Sequence, residues 1–315
     1  MTAPPAQPPP AGRSTAQNGK TSPDASVILP PFRRLLGSFP GLTVTGPYNE
    51  PFEPLISRLV ADVRWDLPTF EAIARDRAGT VLDIGCGRGR VSLALARAGL
   101  DVTAVDTSRP ALRRLALGAH AEGLSHRIRA VHADILDPTP GPRGGPGLGT
   151  GHTTAVIGDM SINIFAEPGT VRGLLTSVRR RLAPTGVFCL PVLTDAALSC
   201  YRDRNGLTVT TATDDEGRHH LLFGVTRFAD APRGPHVDRP LPPVFTRTFF
   251  VQRMDGRGEL QACLAGARER LWTETALTPH LTAAGFRVAE RTTVVARDDA
   301  FGRVDVDILV LHVAG

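Results

Sequence analysis

The chain has 315 residues, of which 42% are hydrophobic, so it can bury a full core in one large domain with an insertion or in two modest domains. Its formal net charge is +5, yet the arginines are scattered among acids and Lys20 is the only lysine. This pattern gives no indication of a nucleic-acid-binding surface. Because no long uncharged apolar stretch and no signal-peptide pattern occur, the sequence predicts a cytoplasmic protein without a membrane span.

The cysteines and the paired histidines carry no metal-like spacing. Buried, reduced thiols are therefore favoured over disulfides, and no structural metal is predicted. His219 and His220 fall on a predicted hairpin strand, where alternation directs them to opposite faces and favours a solvated strand. The four cysteines are Cys86, Cys189, Cys200 and Cys263.

Composition and hydrophobic pattern divide the chain into four parts. Residues 1–27 are rich in proline and small polar residues and predict a disordered leader that is dispensable for chemistry. Residues 28–79 form an N-terminal helical lid, with a helix expected within 47–74. Residues 80–193 and 259–315 form the main domain, and hairpin-like runs at 194–258 predict an antiparallel insertion.

Strands and helices alternate from residue 80 onward. This alternation predicts an α/β fold with a parallel sheet and right-handed crossovers, closed by two terminal strands. The predicted strands are residues 81–84, 102–105, 128–132, 154–157 and 187–192, and the predicted helices are 90–98, 109–122 and 170–182.

A glycine-rich turn, "VLDIGCGRGR", ends the first of these strands. Gly85, Gly87 and Gly89 let the backbone turn sharply and let a ligand approach without meeting a Cβ atom. Asp106 follows at the end of the next strand, twenty-one residues after Gly85. A carboxylate at that place suits a ribose diol, so the two features together indicate an adenosine-containing ligand.

Two adenosine-containing ligands could fit this turn: a nicotinamide dinucleotide and S-adenosylmethionine. A dinucleotide site favours G-x-G-x-x-G, with a helix N-terminus against the pyrophosphate. The spacing here is G-x-G-x-G, and Asp83 stands two residues before the first glycine. A carboxylate there sits badly with a pyrophosphate and well with a ligand that carries an ammonium and a sulfonium.

The motifs "LDIGCGRGR", "VTAVDTS" and "HADILD" together resemble the class I S-adenosylmethionine-dependent methyltransferases over about residues 45–315. The resemblance implies a Rossmann-like, seven-stranded sheet with a terminal antiparallel strand pair, an N-terminal lid and an insertion after strand five. It implies that S-adenosylmethionine is the cofactor. It also implies that Gly85, Gly87 and Gly89 pass the methionyl part and that Asp83 helps to orient it.

The same resemblance assigns the adenosine part. Asp106, with Thr107 beside it, would hold the ribose hydroxyls; a solvated acid at a strand end is the alternative. Asp134 would contact the adenine amino group, with Ile135 beside the ring. A turn or helix cap is the alternative for Asp134.

The acceptor side is expected in "IGDMSINIFAEPG", after the fourth strand. Asp159 could orient an amine acceptor and Asn163 could hydrogen-bond the substrate or ligand; strand-end turn chemistry explains both equally. Tyr48, in "PYNEPF", resembles a lid tyrosine of small-molecule members, with core packing as the alternative. The segment departs from the Asn/Asp-Pro-Pro-Tyr pattern of enzymes that methylate nucleobases.

These features predict an enzyme that aligns a nucleophile with a sulfonium methyl group for in-line transfer. The lid and insertion resemble those of small-molecule and peptide-tailoring N- and O-methyltransferases. The chain is also similar to the methyltransferases of daptide-type ribosomal peptide pathways, although no single motif carries that similarity. The use of arginine in place of lysine resembles the composition of proteins from GC-rich, actinobacterial-type genomes. That resemblance favours a role in natural-product biosynthesis. A nicotinamide oxidoreductase and a non-catalytic cofactor-binding regulator are the alternatives, and no sequence feature specifies an oligomeric state.

Overall fold

The computed structural model describes most of the chain from Val27 onward. The described residues are 27–30, 32–38, 41–49, 52–55, 63–137, 147–201, 205–214, 217, 219–229, 241–254, 260–298 and 302–314. The predicted leader lies outside them, apart from its last residue. The carbonyl of Val27 accepts a 2.9 Å hydrogen bond from Thr248 Oγ1, so the described fold already includes this residue. No helix in these ranges is long and apolar enough to cross a membrane.

The described residues form six α-helices and two β-sheets. The helices are α1 Leu67–Arg77, α2 Arg90–Arg97, α3 Arg109–Ala121, α4 Pro168–Arg179, α5 Asp195–Tyr201 and α6 Glu274–Ala283. The first strands are β1 Thr43–Thr45, β2 Thr80–Ile84, β3 Asp101–Asp106, β4 Ile128–His132, β5 His152–Ile157 and β6 Leu182–Leu193. They are followed by β7 Gly206–Thr213, β8 His219–Ala229, β9 Val244–Met254, β10 Leu260–Arg270, β11 Phe286–Asp298 and β12 Gly302–Val313.

The larger sheet has seven strands in the order β11-β12-β6-β5-β2-β3-β4. Pairing is parallel from β6 to β4, whereas β12 lies antiparallel to β6 and β11 antiparallel to β12. The predicted α/β class is therefore confirmed. Because strand order reverses between β2 and β5, their carboxyl ends form a topological switch point, which is where ligands bind in open α/β sheets.

Helices cover both faces of this sheet. One core cluster joins the sheet to apolar residues of α4 and α6, and a second joins it to those of α1, α2 and α3. Val81, Leu82 and Ile84 are at most 2% exposed, which explains why β2 is a continuous apolar run rather than an alternating one. This burial fixes the position of the glycine turn that follows.

The smaller sheet has five strands in the order β1-β10-β9-β8-β7. Its pairings are antiparallel except for β1 with β10, which is parallel. The sequence placed residues 259–270 in the main domain, but Leu260–Arg270 is a strand of this smaller sheet. The segment "LQACLAGARER" has no β-branched residue, so pairing with β9 rather than intrinsic preference makes it a strand.

The segment before α1 also differs from the predicted lid helix. Residues 28–79 contain a 3-10 helix at Phe32–Gly37, the strand β1, a helical turn at 53–55 and α1. The apolar positions Phe52 and Leu55 are buried against the smaller sheet. The part of the expected helix at 56–62 lies outside the described residues.

Candidate active site at the switch point of the main sheet

The glycine turn between β2 and α2 presents bare backbone at the switch point. Gly85, Gly87 and Gly89 have φ values of +66°, +52° and +90°, a region that side chains disfavour. A Cβ atom on Gly85 or Gly87 would have nothing within 4 Å, whereas one on Gly89 would collide with Leu115 of α3. The first two glycines therefore leave open space for a ligand, and the third permits helix packing.

Asp106 lies at the end of β3, beside this turn. Its Oδ2 accepts a 2.8 Å hydrogen bond from the Gly87 amide, and its Oδ1 accepts a 2.7 Å bond from the Ser108 amide. Burial raises the pKa of Asp106, and the two amide donors oppose that rise. Each carboxylate oxygen keeps a second lone pair, so this side chain can still accept ribose hydroxyls.

Asp83 lies beneath the turn. Its side chain is 1% exposed, and Ser92 of α2 donates a 2.5 Å hydrogen bond to its Oδ2. Burial raises its pKa to about 6, against the Ser92 hydrogen bond and the nearby Arg90. The carboxylate thus ties β2 to the helix that follows the glycine turn.

The expected adenine region follows β4. Asp134 is exposed, and its Oδ1 accepts a 2.8 Å hydrogen bond from the Leu136 amide, as a turn cap would. Ile135 is 6% exposed and belongs to the core of the main sheet. Thr107 is exposed at the end of β3, and its carbonyl lies 3.0 Å from His132 Nε2.

The turn after β5 holds Asp159 in an unusual backbone conformation. Asp159 and Met160 have φ values of +45° and +56°, which are uncommon for residues other than glycine and cluster at functional sites. The Asp159 amide donates a 3.0 Å hydrogen bond to Asp66, and Arg90 binds both oxygens of the same carboxylate. This buried pair holds the turn in place, and the Asp159 side chain is half-buried.

Asn163 has a different partner from the one expected. It is 5% exposed, and its Oδ1 accepts a 3.1 Å hydrogen bond from the backbone amide of Trp272. Arg270, 3% exposed, also donates to the carbonyl of Ala166 at 2.5 Å. Asn163 therefore fastens the turn after β5 to the end of β10, so its carbonyl oxygen is already engaged within the protein.

Tyr48 is surrounded by charged groups from both sheets. Its ring keeps 41% of its surface exposed, while the protein atoms packed around it raise its pKa well above the usual value. Glu269 and Arg247 of the smaller sheet act most strongly on it among the charges, followed by Asp159 and Asp106. The charges of Asp159 and Asp106 both act on Tyr48, and we refer to the space beside Tyr48, the Asp159 turn and the glycine turn as the cleft.

An ion pair attaches the segment before α1 to the glycine turn. Glu53, 3% exposed, accepts a 3.0 Å bond from Arg88 Nε in the turn and a 3.4 Å bond from Arg114 Nη1 on α3. These residues were missed by sequence reasoning. The positions of Glu53 and Arg88 differ by 35 residues, and no local pattern links such positions.

The prediction of a solvated strand is wrong for His220. His219 is exposed, but His220 is 5% exposed and its Nε2 lies 2.9 Å from Asp214 Oδ2. Alternation does separate the two rings. Asp214, the buried acid beside His220, lies directly after the preceding strand, across the hairpin turn. The alternation of the strand does not predict this partner.

Comparison with known proteins identifies the domain that carries this site. Residues 81–186 match the family model described as a methyltransferase domain. A cypemycin N-terminal methyltransferase from Streptomyces sp. is 34% identical over 154 residues, which cover 48% of this chain and 55% of that protein. A ubiquinone biosynthesis O-methyltransferase from Caulobacter sp. (strain K31) is 30% identical over 159 residues, which cover 50% of this chain and 56% of that protein.

The fold has solved counterparts. An S-adenosylmethionine-dependent methyltransferase from Clostridium acetobutylicum ATCC 824 aligns with a TM-score of 0.59 and 16% identity, over 84% of this chain and 98% of that chain. This chain spans about half the length of the curated relatives that it matches. The methyltransferase class predicted from the glycine turn is confirmed for the segment that carries it, because residues 81–186 match a methyltransferase domain.

Proposed function

We propose that the protein transfers a methyl group from S-adenosylmethionine to an amine of a small molecule or peptide in natural-product biosynthesis. The observation that supports this proposal is the pair of acids at the switch point: Asp159 in a turn with positive φ that is bonded to Asp66, and Asp106 bonded to the glycine turn. Carboxylates attract a cationic amine and repel the phosphates of a nucleic acid. The acceptor class therefore follows from the charge of the cleft.

The residues at the switch point fit the cofactor. Gly85 and Gly87 leave open space over a backbone with positive φ, and Asp106 presents free lone pairs at the end of the next strand. When bound, S-adenosylmethionine supplies an electrophilic methyl group on a positively charged sulfur. In this proposal Asp106 holds the ribose, the glycine backbone passes the methionyl part, and Asp83 supports the turn from beneath.

The lid and the smaller sheet enclose the acceptor. The segment that carries Phe52 and Leu55 packs on the smaller sheet, and Glu53 in the same turn binds Arg88 beside the glycines. In this proposal Tyr48, which is 41% exposed, covers the acceptor and helps to exclude water from the reactive methyl group. We extend the proposed insertion to residue 270, because β10 belongs to it.

A hydroxyl acceptor is the competing substrate class, since one of the relatives is named an O-methyltransferase. The acidic cleft favours an amine, because a neutral hydroxyl gains no comparable attraction from the surrounding carboxylates. The relative named an N-terminal methyltransferase also supports an amine. A nicotinamide oxidoreductase would instead need pyrophosphate contacts above the buried acid Asp83.

Transfer of labelled methyl groups tests this proposal. The enzyme is supplied with methyl-tritiated S-adenosylmethionine and with short peptides that have a free terminal amine. The same peptides with acetylated amines, N-acetylserine amide and a mixed RNA serve as the comparison. We expect label only on the free amines. Label on the hydroxyl or on RNA would replace the proposed acceptor, and no transfer at all would favour a cofactor-binding regulator.

A further inference from the structure

We propose that Glu269, on the smaller sheet, takes the proton from the incoming amine and is thus a catalytic residue of the methyl-transfer site. This inference rests on the proposed function, because it assigns a role toward an amine acceptor. It gives the smaller sheet a chemical part in the reaction in addition to covering the cleft.

Strand register places Glu269 on the cleft face of the smaller sheet. Ala267 of β10 pairs with Arg247 of β9, and Glu269 pairs with Phe245. Because side chains alternate along a strand, Glu269 and Arg247 lie on the same face, diagonal to each other. Arg268 belongs to the opposite face, where it forms a 3.4 Å ion pair with Glu167.

The strand β1 brings Tyr48 to the same place. Thr45 pairs in parallel with Ala265, and the chain then turns, with the Asn49 amide donating a 3.0 Å hydrogen bond to the Gly46 carbonyl. Tyr48 is three residues beyond Thr45, and Glu269 is four residues beyond Ala265. Tyr48 therefore lies in a turn next to the strand that carries Glu269, and the negative charge of Glu269 helps to raise the pKa of Tyr48.

The end of β10 is fastened to the turn that carries Asp159. Arg270 donates to the Ala166 carbonyl, and the Trp272 amide donates to Asn163. Both acceptors lie within seven residues of Asp159 along the chain. Glu269 immediately precedes this attachment, so the end of β10 holds it near the turn that carries Asp159.

The surroundings of Glu269 suit a group that exchanges a proton. Burial raises the pKa of its carboxyl, and the positive charge of Arg247 opposes that rise. The Arg247 guanidinium stands 5.1 Å from the ring centre of Phe245 and 5.7 Å from that of Phe249, which holds it on the sheet. The Glu269 carboxylate forms no hydrogen bond with any residue in the described part of the chain.

The proposed step balances its atoms and charge. The acceptor arrives as an ammonium ion and gives one proton to the Glu269 carboxylate, which leaves a neutral amine. The amine lone pair then forms the N–C bond while the C–S bond breaks, and that electron pair stays on sulfur to give S-adenosylhomocysteine. The methylated product leaves as an ammonium ion, and the neutral Glu269 returns its proton to water.

The pH dependence of turnover tests this role. The assay uses full-length enzyme, S-adenosylmethionine and the free-amine peptide that it methylates fastest. We expect Glu269→Gln to lower kcat at pH 7 by about a hundredfold, the low end for a lost general base. The deficit should shrink toward pH of about 9.5, because a terminal amine, with a pKa of about 7.7–8.0, loses its proton unaided there.

Two further variants keep the test decisive. Arg247→Gln removes the charge that lowers the pKa of Glu269, so the acid limb of the kcat profile should move to higher pH. Glu290→Gln, at an exposed acid on β11, should leave the profile unchanged. The affinity for S-adenosylmethionine should stay at the wild-type value in all three variants.

The outcomes separate this inference from the function on which it rests. If wild-type enzyme methylates amines and Glu269→Gln matches it at every pH, the role of Glu269 is refuted and the function stands. The inference is also refuted if Glu269→Gln lowers kcat equally at all pH values, or if the acid limb of the kcat profile does not move in Arg247→Gln. Either result would show that these residues have only a structural role. If wild-type enzyme methylates no amine, the proposed function fails first.

Discussion

Arg90 binds the carboxylate of Asp66 with both ends of its guanidinium group, at 2.5 and 2.7 Å. Asp66 is fully buried, and it also accepts the amide hydrogen of Asp159 at 3.0 Å. Arg90 is the first residue of α2, directly after the glycine turn. This one pair therefore joins the start of α2, directly after the glycine turn, to the turn that carries Asp159.

Removing the charge of Asp66 should cost both stability and activity. We expect Asp66→Asn to lower the free energy of unfolding by about 3–5 kcal/mol, because a buried Arg90 is left without its counter-charge. Urea denaturation measures this loss. Glu71→Gln is the control. It breaks an exposed ion pair between Glu71 and Arg75, and we expect this pair to contribute only about 0.3–0.5 kcal/mol to the free energy of unfolding. Equal losses in the two variants would contradict the structural role of Asp66.

Asp106 should govern cofactor affinity. We expect Asp106→Ala to weaken binding of S-adenosylmethionine by about 1.5–3 kcal/mol, the scale of hydrogen bonds to a charged group. Isothermal titration calorimetry measures the change. Asp101→Ala alters an exposed acid at the other end of the same strand and should leave the affinity unchanged. Wild-type affinity in a folded Asp106→Ala variant would remove the ribose assignment.

Alanine substitutions at Gly87 and Gly89 should affect cofactor affinity and protein stability to different extents. Alanine at Gly87 has open space but a disfavoured φ, so we expect a stability loss of about 1–2 kcal/mol. Its methyl group would stand where the ligand passes, so cofactor affinity should fall about tenfold or more, equivalent to about 1.4 kcal/mol. Gly89→Ala collides with Leu115 and should lose about 1–3 kcal/mol more stability, with less effect on affinity.

Denaturation and calorimetry on both glycine variants test this division. Binding that is equally weakened in both, with equal stability, would show that the two positions have the same role. The structure predicts different profiles, because Gly87 faces open space and Gly89 faces a helix.

The buried carboxyl of Asp83 should make stability depend on pH. Its folded pKa is about 6, above the ordinary value of 3.8, so the folded state binds more protons between these pH values. This group therefore lowers stability as pH rises from about 4 to 6, by about 1.4 kcal/mol per unit of pKa difference. Asp83→Asn keeps an acceptor for Ser92 and removes the ionisation.

The variant should gain stability relative to wild type at pH 7.5 and lose that advantage near pH 4. Urea denaturation of both proteins at the two pH values measures the difference. An advantage that is the same at both pH values would show that Asp83 does not titrate in this window.

The main sheet was predictable because its strands are buried on both faces. Val81 to Ile84 form a short, mainly apolar run between Gly79 and Gly85, which favours a buried strand, and the glycines after it indicate the turn. The smaller sheet was only partly predictable. Its hairpin β7 to β9 alternates visibly, but β10 is rich in alanine and glycine, and β1 has only three residues.

The chemistry of the site was predictable where it depends on local spacing. Gly85 and Gly87 were predictable because the sharp turn requires positive φ values, and Asp106 was predictable from its place at the end of the next strand. The pairs Asp66 with Arg90 and Glu53 with Arg88 join residues 24 and 35 positions apart, and only the folded chain brings them together. Glu269 was hidden for the same reason, since its strand was not assigned to the cleft.

The proposed cleft has a cofactor side and an acceptor side. The variant Asp159→Asn tests this division most directly, when two quantities are measured on the same sample. Calorimetry gives the affinity for S-adenosylmethionine, and release of S-adenosylhomocysteine gives the turnover of a free-amine peptide. Because our proposal assigns Asp159 to the acceptor and not to the cofactor, we predict at least about tenfold lower turnover, or 1.4 kcal/mol in the barrier, with nearly unchanged cofactor affinity. Intact turnover, or loss of cofactor binding instead, would contradict the account.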